Sequence, residues 1–169
     1  MVGGDGEFVF KDVLPGSYRL AFYCSAGYVT SAVWGETDLL ANPTFSIQPG
    51  AALAPIEVGA RFSGSSLSGE MKLAESSTGK PPGVLLVPQF ANATGPVTEQ
   101  AFQYGQGDSR PYRFSFRGLA PGDYLVFAFA SLEEIEFRNP EFLRGLNGGT
   151  SVHIEESGQS NITITSLMR

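Results

Sequence analysis

Residues 112–128 read Tyr112-Arg113-Phe114-Ser115-Phe116-Arg117-Gly118-Leu119-Ala120-Pro121-Gly122-Asp123-Tyr124-Leu125-Val126-Phe127-Ala128. Phe114 and Phe116 alternate with polar neighbours, and after Pro121-Gly122 the apolar positions Tyr124 and Val126 alternate again. A period of two is the mark of strands that bury one face. Between them, Pro fixes φ near the value that the first central turn position needs, and Gly supplies a positive φ at the second. The stretch predicts two strands joined by a Pro-Gly turn, in the manner of a β-hairpin.

The same pattern occurs earlier in the chain. Residues 6–22 read Gly6-Glu7-Phe8-Val9-Phe10-Lys11-Asp12-Val13-Leu14-Pro15-Gly16-Ser17-Tyr18-Arg19-Leu20-Ala21-Phe22. A shift of 106 positions sets Phe8 on Phe114, Phe10 on Phe116, Pro15-Gly16 on Pro121-Gly122, Tyr18 on Tyr124 and Leu20 on Val126. A second segment is also shared. Phe45-Ser46-Ile47, a Gln48-Pro49-Gly50 turn and Ile56-Glu57-Val58 correspond to Val152-His153-Ile154, Glu155-Glu156-Ser157-Gly158 and Ile162-Thr163-Ile164. Internal repetition of this kind defines a structural unit: strand, Pro-Gly turn, strand, variable segment, strand, Gly turn, strand.

Only the later copy has strands in front of it. Leu67, Met71 and Leu73 alternate within residues 61–73 and predict an opening strand. Gly83-Val84-Leu85-Leu86-Val87-Pro88 is a short continuous apolar run, expected to be a strand buried on both sides. A polar loop over 91–107 holds one more expected strand around Ala101-Phe102-Gln103-Tyr104. The first copy begins in mid-unit, short by roughly 50 residues if the units are alike. Helix signals are confined to Asn139-Pro140-Glu141-Phe142-Leu143-Arg144-Gly145, with an N-cap Asn, Pro at N1 and a closing Gly. Two turns at most are predicted there, over one end of a sandwich.

Composition sets further bounds. The 169 residues are 42% hydrophobic and 17% charged, with 21 Gly and 11 Pro, which suits a packed core and many tight turns. A net charge of −6 repels phosphate backbones and argues against nucleic acid as a partner. One His and one Cys exclude a zinc site of Cys/His type and an internal disulfide. Met1-Val2-Gly3-Gly4-Asp5-Gly6 has neither a basic nor an apolar signal region, so this chain is expected to carry no signal peptide. The apolar stretch Tyr124–Ala130 is too short to span a bilayer, and no membrane insertion is expected. The chain is then either cytoplasmic or a piece of a longer exported polypeptide.

The pattern Gly-x-Phe-x-Phe, Pro-Gly-x-Tyr-x-Leu resembles the carboxypeptidase regulatory-like domains, with their transthyretin-like (prealbumin-like) β-sandwich, related to Cna-B repeats and starch-binding-like folds. Its carriers are Phe8, Phe10, Pro15, Gly16, Tyr18 and Leu20, and again Phe114, Phe116, Pro121, Gly122, Tyr124 and Val126. The resemblance implies an all-β fold of tandem transthyretin-like or immunoglobulin-like antiparallel sandwiches. Residues 1–59 would be the C-terminal part of one domain and 60–169 a complete one. It also implies a non-catalytic structural, assembly or adhesion module of a large exported bacterial protein, located extracellularly, at the cell surface or in the periplasm. It speaks to the fold far more than to any ligand.

Half a sandwich leaves an edge, and Phe8, Val9, Phe10 and Lys11 are the candidates for pairing with another strand, from a protein partner or a further copy of the chain. Trp34, with Tyr28 and Tyr23 near it in sequence, is the candidate for stacking on a polysaccharide, against burial in a core or junction. Pro15, Gly16, Pro121 and Gly122 are read as structural turn residues. His153 is expected on a solvated strand face, and Cys24 as a small buried apolar group. Glu133-Glu134-Ile135-Glu136, with Asp108 and Asp123, lacks the spacing of a calcium loop. Asn92-Ala93-Thr94 and Asn161-Ile162-Thr163 fit a glycosylation sequon of low specificity. Lys72 and Asn161 have the wrong strand parity for a buried isopeptide crosslink. No catalytic residue, metal ligand or cofactor is expected. Two other readings stand beside the structural module: a filament subunit completed by strand donation, and a carbohydrate-binding module.

Overall fold

The computed structural model describes residues 6–22, 24, 27–50, 53–72, 81–90, 97–101, 111–133 and 135–167. The chain is all-β with one short helix. Its strands are β1 (Gly16–Arg19), β2 (Tyr28–Trp34), β3 (Thr37–Asp38), β4 (Thr44–Ile47) and β5 (Ile56–Arg61), followed after Phe62-Ser63-Gly64 by β6 (Ser65–Met71). Then come β7 (Gly83–Pro88), β8 (Val97–Gln100), β9 (Tyr112–Leu119), β10 (Gly122–Phe129), helix α1 (Pro140–Gly145), β11 (Thr150–Ile154) and β12 (Gln159–Ile164).

Strands β6 to β12 form two facing sheets, ordered β11-β10-β7-β8 and β12-β6-β9. Leu67, Met71, Phe114, Phe116, Leu119 and Ile164 from the three-stranded sheet meet Val84, Leu86, Tyr124, Val126, Ala128 and Ile154 from the other in one buried core. Alternation accounts for it, since β9 runs Phe114 and Phe116 inward and Arg113, Ser115 and Arg117 outward. The apolar run in β7 is buried on both sides, as expected. Val84 and Leu86 face the sandwich core, while Leu85 joins Phe127 and Phe129 on the outer face. That outer face is covered by α1 and its approach through Leu132, Ile135, Phe137, Phe142, Leu143 and Leu146. The Asn139 carboxamide oxygen accepts from the Glu141 amide at 3.0 Å, the cap its sequence predicted, but the helix lies on a sheet face and not over an end.

Two expected hairpins are corrected by the topology. β9 and β10 are consecutive yet lie in opposite sheets, and β11 and β12 do likewise. The Pro-Gly segment is therefore a corner between layers. Gly118 at φ 67° sits where β9 slips one residue against β6, between the pairs Ser65↔Leu119 and Ser66↔Arg117. That bulge turns the strand, and Gly122 at φ 144° restarts it in the other sheet. β12 also runs parallel to β6, the one parallel pair among the described residues. The opening strand is β6, as predicted. A strand, β8, ends just before Ala101, and Phe102–Tyr104 of the strand expected there lie outside the described residues.

Strands β1 to β5 make two smaller sheets, β1-β4 and β3-β2-β5. β2 fills what the sequence left as a variable segment. The strand expected over Phe8–Phe10 is not one: no residue from Phe8 to Leu14 belongs to a strand. The corner nevertheless repeats in detail. Asp12, which aligns with Gly118, has φ 54°, and Gly16, which aligns with Gly122, has φ 157°. The β1–β4 register Gly16↔Ile47 and Tyr18↔Phe45 reproduces Gly122↔Ile154 and Tyr124↔Val152 of β10–β11.

Three glycines lie in close backbone contacts where the two sets of strands meet, and the Gly118–Gly27 approach crosses from one set to the other. A Cβ on Gly27 would fall 1.8 Å from the Arg61 carbonyl oxygen, one on Gly64 would fall 2.4 Å from Gly118 Cα, and one on Gly118 would fall 2.7 Å from the Gly27 oxygen. Backbone packs directly on backbone there. Gly118→Ala thus carries both a left-handed φ and a close approach. Its unfolding midpoint in urea should correspond to a loss of at least about 1–2 kcal/mol, the cost of the φ alone. An unchanged midpoint would contradict the packing described.

Candidate functional site

The corner sets the geometry from which the candidate residues project. Tyr124 lies 4% exposed on β10, and its hydroxyl donates to the Ala120 carbonyl at 2.8 Å. Tyr18 makes the equivalent bond, donating to the Leu14 carbonyl at 2.6 Å. The arrangement is a tyrosine corner, in which the phenol ties the strand to the backbone four residues upstream. Phe90 stacks edge-on against Tyr124 at 5.3 Å.

Residues 8–14 form the largely exposed part of the first corner. Phe8 and Phe10 hold an edge-to-face pair at 5.7 Å, as Phe114 and Phe116 do at 6.0 Å. The later pair is buried in the core between the two facing sheets. The earlier pair is not, and Phe10 is 63% exposed where Phe116 is 2% exposed. Val9 and Leu14 are exposed at 73% and 72%, and Lys11 is exposed. Burying one such side chain is worth about 1.5–3 kcal/mol, so the segment holds unused binding energy. Pro15 and Gly16 close it, in the corner position that Pro121 and Gly122 occupy in the second copy.

The aromatic candidates are divided. Trp34 is half-buried, donates its indole N–H to the Ala54 carbonyl at 3.0 Å and lies 5.0 Å from the Phe45 ring, which in turn lies 6.0 Å from Tyr18. Tyr28 stands at the opposite end of β2, about 20 Å away at some 3.3 Å per residue. Tyr23 lies outside the described residues. Trp34 and Tyr28 are therefore not brought together. The cluster that forms instead, Trp34-Phe45-Tyr18, depends on β1–β4 pairing across the chain, which local spacing does not signal.

His153 is exposed and paired through Nδ1 with Asp123 at 2.7 Å, across the β10–β11 ladder. Cys24 is half-buried and free of disulfide partners among the described residues. Asn161 donates to the Ser68 hydroxyl at 3.1 Å from an exposed position, and Lys72 is exposed beyond the end of β6. Glu136 accepts from the Asn139 side chain at 2.9 Å. Glu134, Asp108 and Asn92-Ala93-Thr94 lie outside the described residues. Among the described residues no group of three or more His, Cys, Asp or Glu is placed to hold a metal ion, and no helix is long and apolar enough to cross a membrane.

Two further contacts mark the junction between the strand sets. Arg61 of β5 forms an exposed ion pair with Glu156 in the β11–β12 connection. Buried Ser65 donates to the Glu155 carbonyl at 2.5 Å and accepts from the Gly158 amide at 3.2 Å. Together they fasten the start of β6 to that same connection. Comparison with protein-family models, curated proteins and solved structures found no match to this chain.

Burial pushes the Tyr124 phenol up to about 12 from its ordinary 10.0, with a further contribution from nearby Tyr28 and an opposing one from the bond to Ala120. The folded state thus prefers the neutral phenol. Stability is unaffected below pH 10 and should fall as the pH rises from 10 through 12. Tyrosinate absorbance should show one late-titrating group that Tyr124→Phe removes. Losing the buried hydroxyl should also lower stability by about 1–3 kcal/mol, with a smaller effect for Tyr18→Phe at its half-buried position. Equal effects at the two sites would contradict the difference in burial.

Proposed function

We propose that the chain is a non-catalytic structural module of a larger exported protein, built from repeated units of the carboxypeptidase regulatory-like kind. The observation that carries this reading is the duplicated corner. The tyrosine bond, the positive φ positions and the strand register each recur after 106 or 107 positions, and the connection from β5 to β6 is only Phe62-Ser63-Gly64. Units in tandem with short joints transmit force and spacing along a polypeptide, which is the work of a stalk, adhesin or assembly module. The Gly27-Gly64-Gly118 contact and the Arg61–Glu156 pair favour a fixed angle at this joint over a loose linker. Partners in this reading are proteins, engaged through strand edges.

The filament reading is favoured by a specific observation, the exposed apolar segment 8–14, and is compatible with a module of this class. The carbohydrate reading has less support, because the indole N–H of Trp34 is already bonded and its ring lies against Phe45.

Fractionation of the source cells with an antiserum to this chain tests the location. The protein is expected outside the cytoplasm, and recovery only from the cytosol would overturn the proposal. Trp34 fluorescence should be insensitive to added oligosaccharides at millimolar concentration. Saturable quenching would restore the carbohydrate reading.

A further inference from the structure

We propose that Asn147 is a self-modification site. Its side chain cyclises onto the Gly148 amide, loses ammonia and opens with water to isoaspartate, which loosens α1 from the sheet it covers. The chain has five asparagines, and their neighbours separate them. Asn42 and Asn139 precede Pro43 and Pro140, which have no amide N–H to act as nucleophile. Asn92 lies outside the described residues. Asn161 is held in β12, whose extended backbone is paired with β6 and cannot bend back onto the side chain.

Asn147 alone precedes a glycine. Gly148 has φ 79°, where an L-residue is strained, so the turn itself calls for the residue whose nitrogen is least shielded. Nothing lies within 4 Å of the place its Cβ would take, and no described residue accepts a hydrogen bond from its amide. Both residues are exposed, in the connection between α1 and β11.

The chemistry needs only hydroxide and water. The Gly148 nitrogen gives up its proton to hydroxide and attacks Asn147 Cγ. The N–Cγ bond forms, the Cγ–Nδ2 bond breaks, and ammonia leaves. Water then opens the five-membered imide. Attack at the main-chain carbonyl gives isoaspartate, with the chain routed through Cγ, and attack at Cγ gives aspartate.

Two contacts of this loop give the change its effect. Asn147 Nδ2 donates at 3.0 Å to the carbonyl of Gly145, the last residue of α1. Either product puts a carboxylate in place of that donor, at a helix end where negative charge is unfavourable. Gly149 lies against the Phe127 ring, where a Cβ would come within 2.7 Å. Isoaspartate adds one carbon to the main chain shortly before that contact. Phe127 belongs with Leu85 and Phe129 to the outer cluster that Phe142, Leu143 and Leu146 cover. Ageing of this loop therefore loosens the cover of an apolar face.

The test ages the whole chain in neutral buffer at body temperature and digests it with trypsin, which releases Gly145–Arg169. Fragment masses should show a gain of about 1 Da at Asn147, where OH replaces NH2, and none at Asn161. An isoaspartate-specific methyltransferase should label most of the converted peptide. Conversion should run within about ten-fold of its rate in the free peptide Leu143–Ser151, because local order is the only brake. Asn147→Gln should abolish the gain, since its longer side chain does not close a five-membered ring. The converted chain carries one more negative charge and separates by anion exchange. Its amide exchange at Leu143–Leu146 and Thr150 should be about three-fold faster or more than in the unconverted chain, with β9 unchanged. Asn147→Asp should reproduce part of that difference. An intact Asn147 when the free peptide has converted, conversion at Asn161 in its place, the same gain in Asn147→Gln, or equal exchange in the two forms would overturn the proposal.

Discussion

The constraint on which the fold depends is the corner between Gly118 and Tyr124. A strand leaving one sheet must enter the facing sheet within a few residues, while every backbone polar group stays satisfied. Gly118 and Gly122 supply the two positive φ angles, and the Tyr124 hydroxyl donates to the carbonyl of half-buried Ala120. Once this crossing is fixed, Phe114 and Phe116 face Tyr124 and Val126 across the core. The pairing of β6, β7 and β11 with these two strands then follows. The outer layer under α1 depends on it as well, because Phe127 and Phe129 lie on the same strand with opposite parity to the core positions.

The first unit has the same corner in a different setting. Its tyrosine bond and register recur, but among the described residues no strand pairs with Phe8 to Leu14, and Phe10 is exposed. Its middle segment has grown into β2 and β3, which take one edge of β5. An exposed apolar segment next to a formed turn is a ready template for another strand. The Gly27 approach to Gly118 links the two settings, since the second corner is also the surface against which the first unit leans.

Much of this architecture was legible in the residues. The alternation at Phe114-Phe116 and Tyr124-Val126 identified the core strands, the continuous run 84–87 identified a strand buried on both sides, and Asn139-Pro140 marked the helix start. What period-two patterning cannot encode is which sheet a strand enters. The Pro-Gly segment reads identically for a hairpin and for a corner, and only the unseen bulge at Gly118 separates them. The parallel β6–β12 pair and the Trp34-Phe45-Tyr18 cluster depend on partners far apart in sequence, so neither had a local signal. The segment Phe8–Phe10 has strand-like residues and no strand, because a ladder needs a partner and residue pattern alone does not provide one. The glycine junction was not legible, since isolated glycines in loops carry no sign of what they touch.

The central claim is that the two corners are copies of one structure, set by the same register. Backbone NMR contacts across β1–β4 and β10–β11 measure this directly. The account predicts cross-strand contacts placing Tyr18 opposite Phe45 and Tyr124 opposite Val152 in the same type of pair, together with positive φ at both Asp12 and Gly118. A β1–β4 register displaced by one residue, or a negative φ at Asp12, would contradict it.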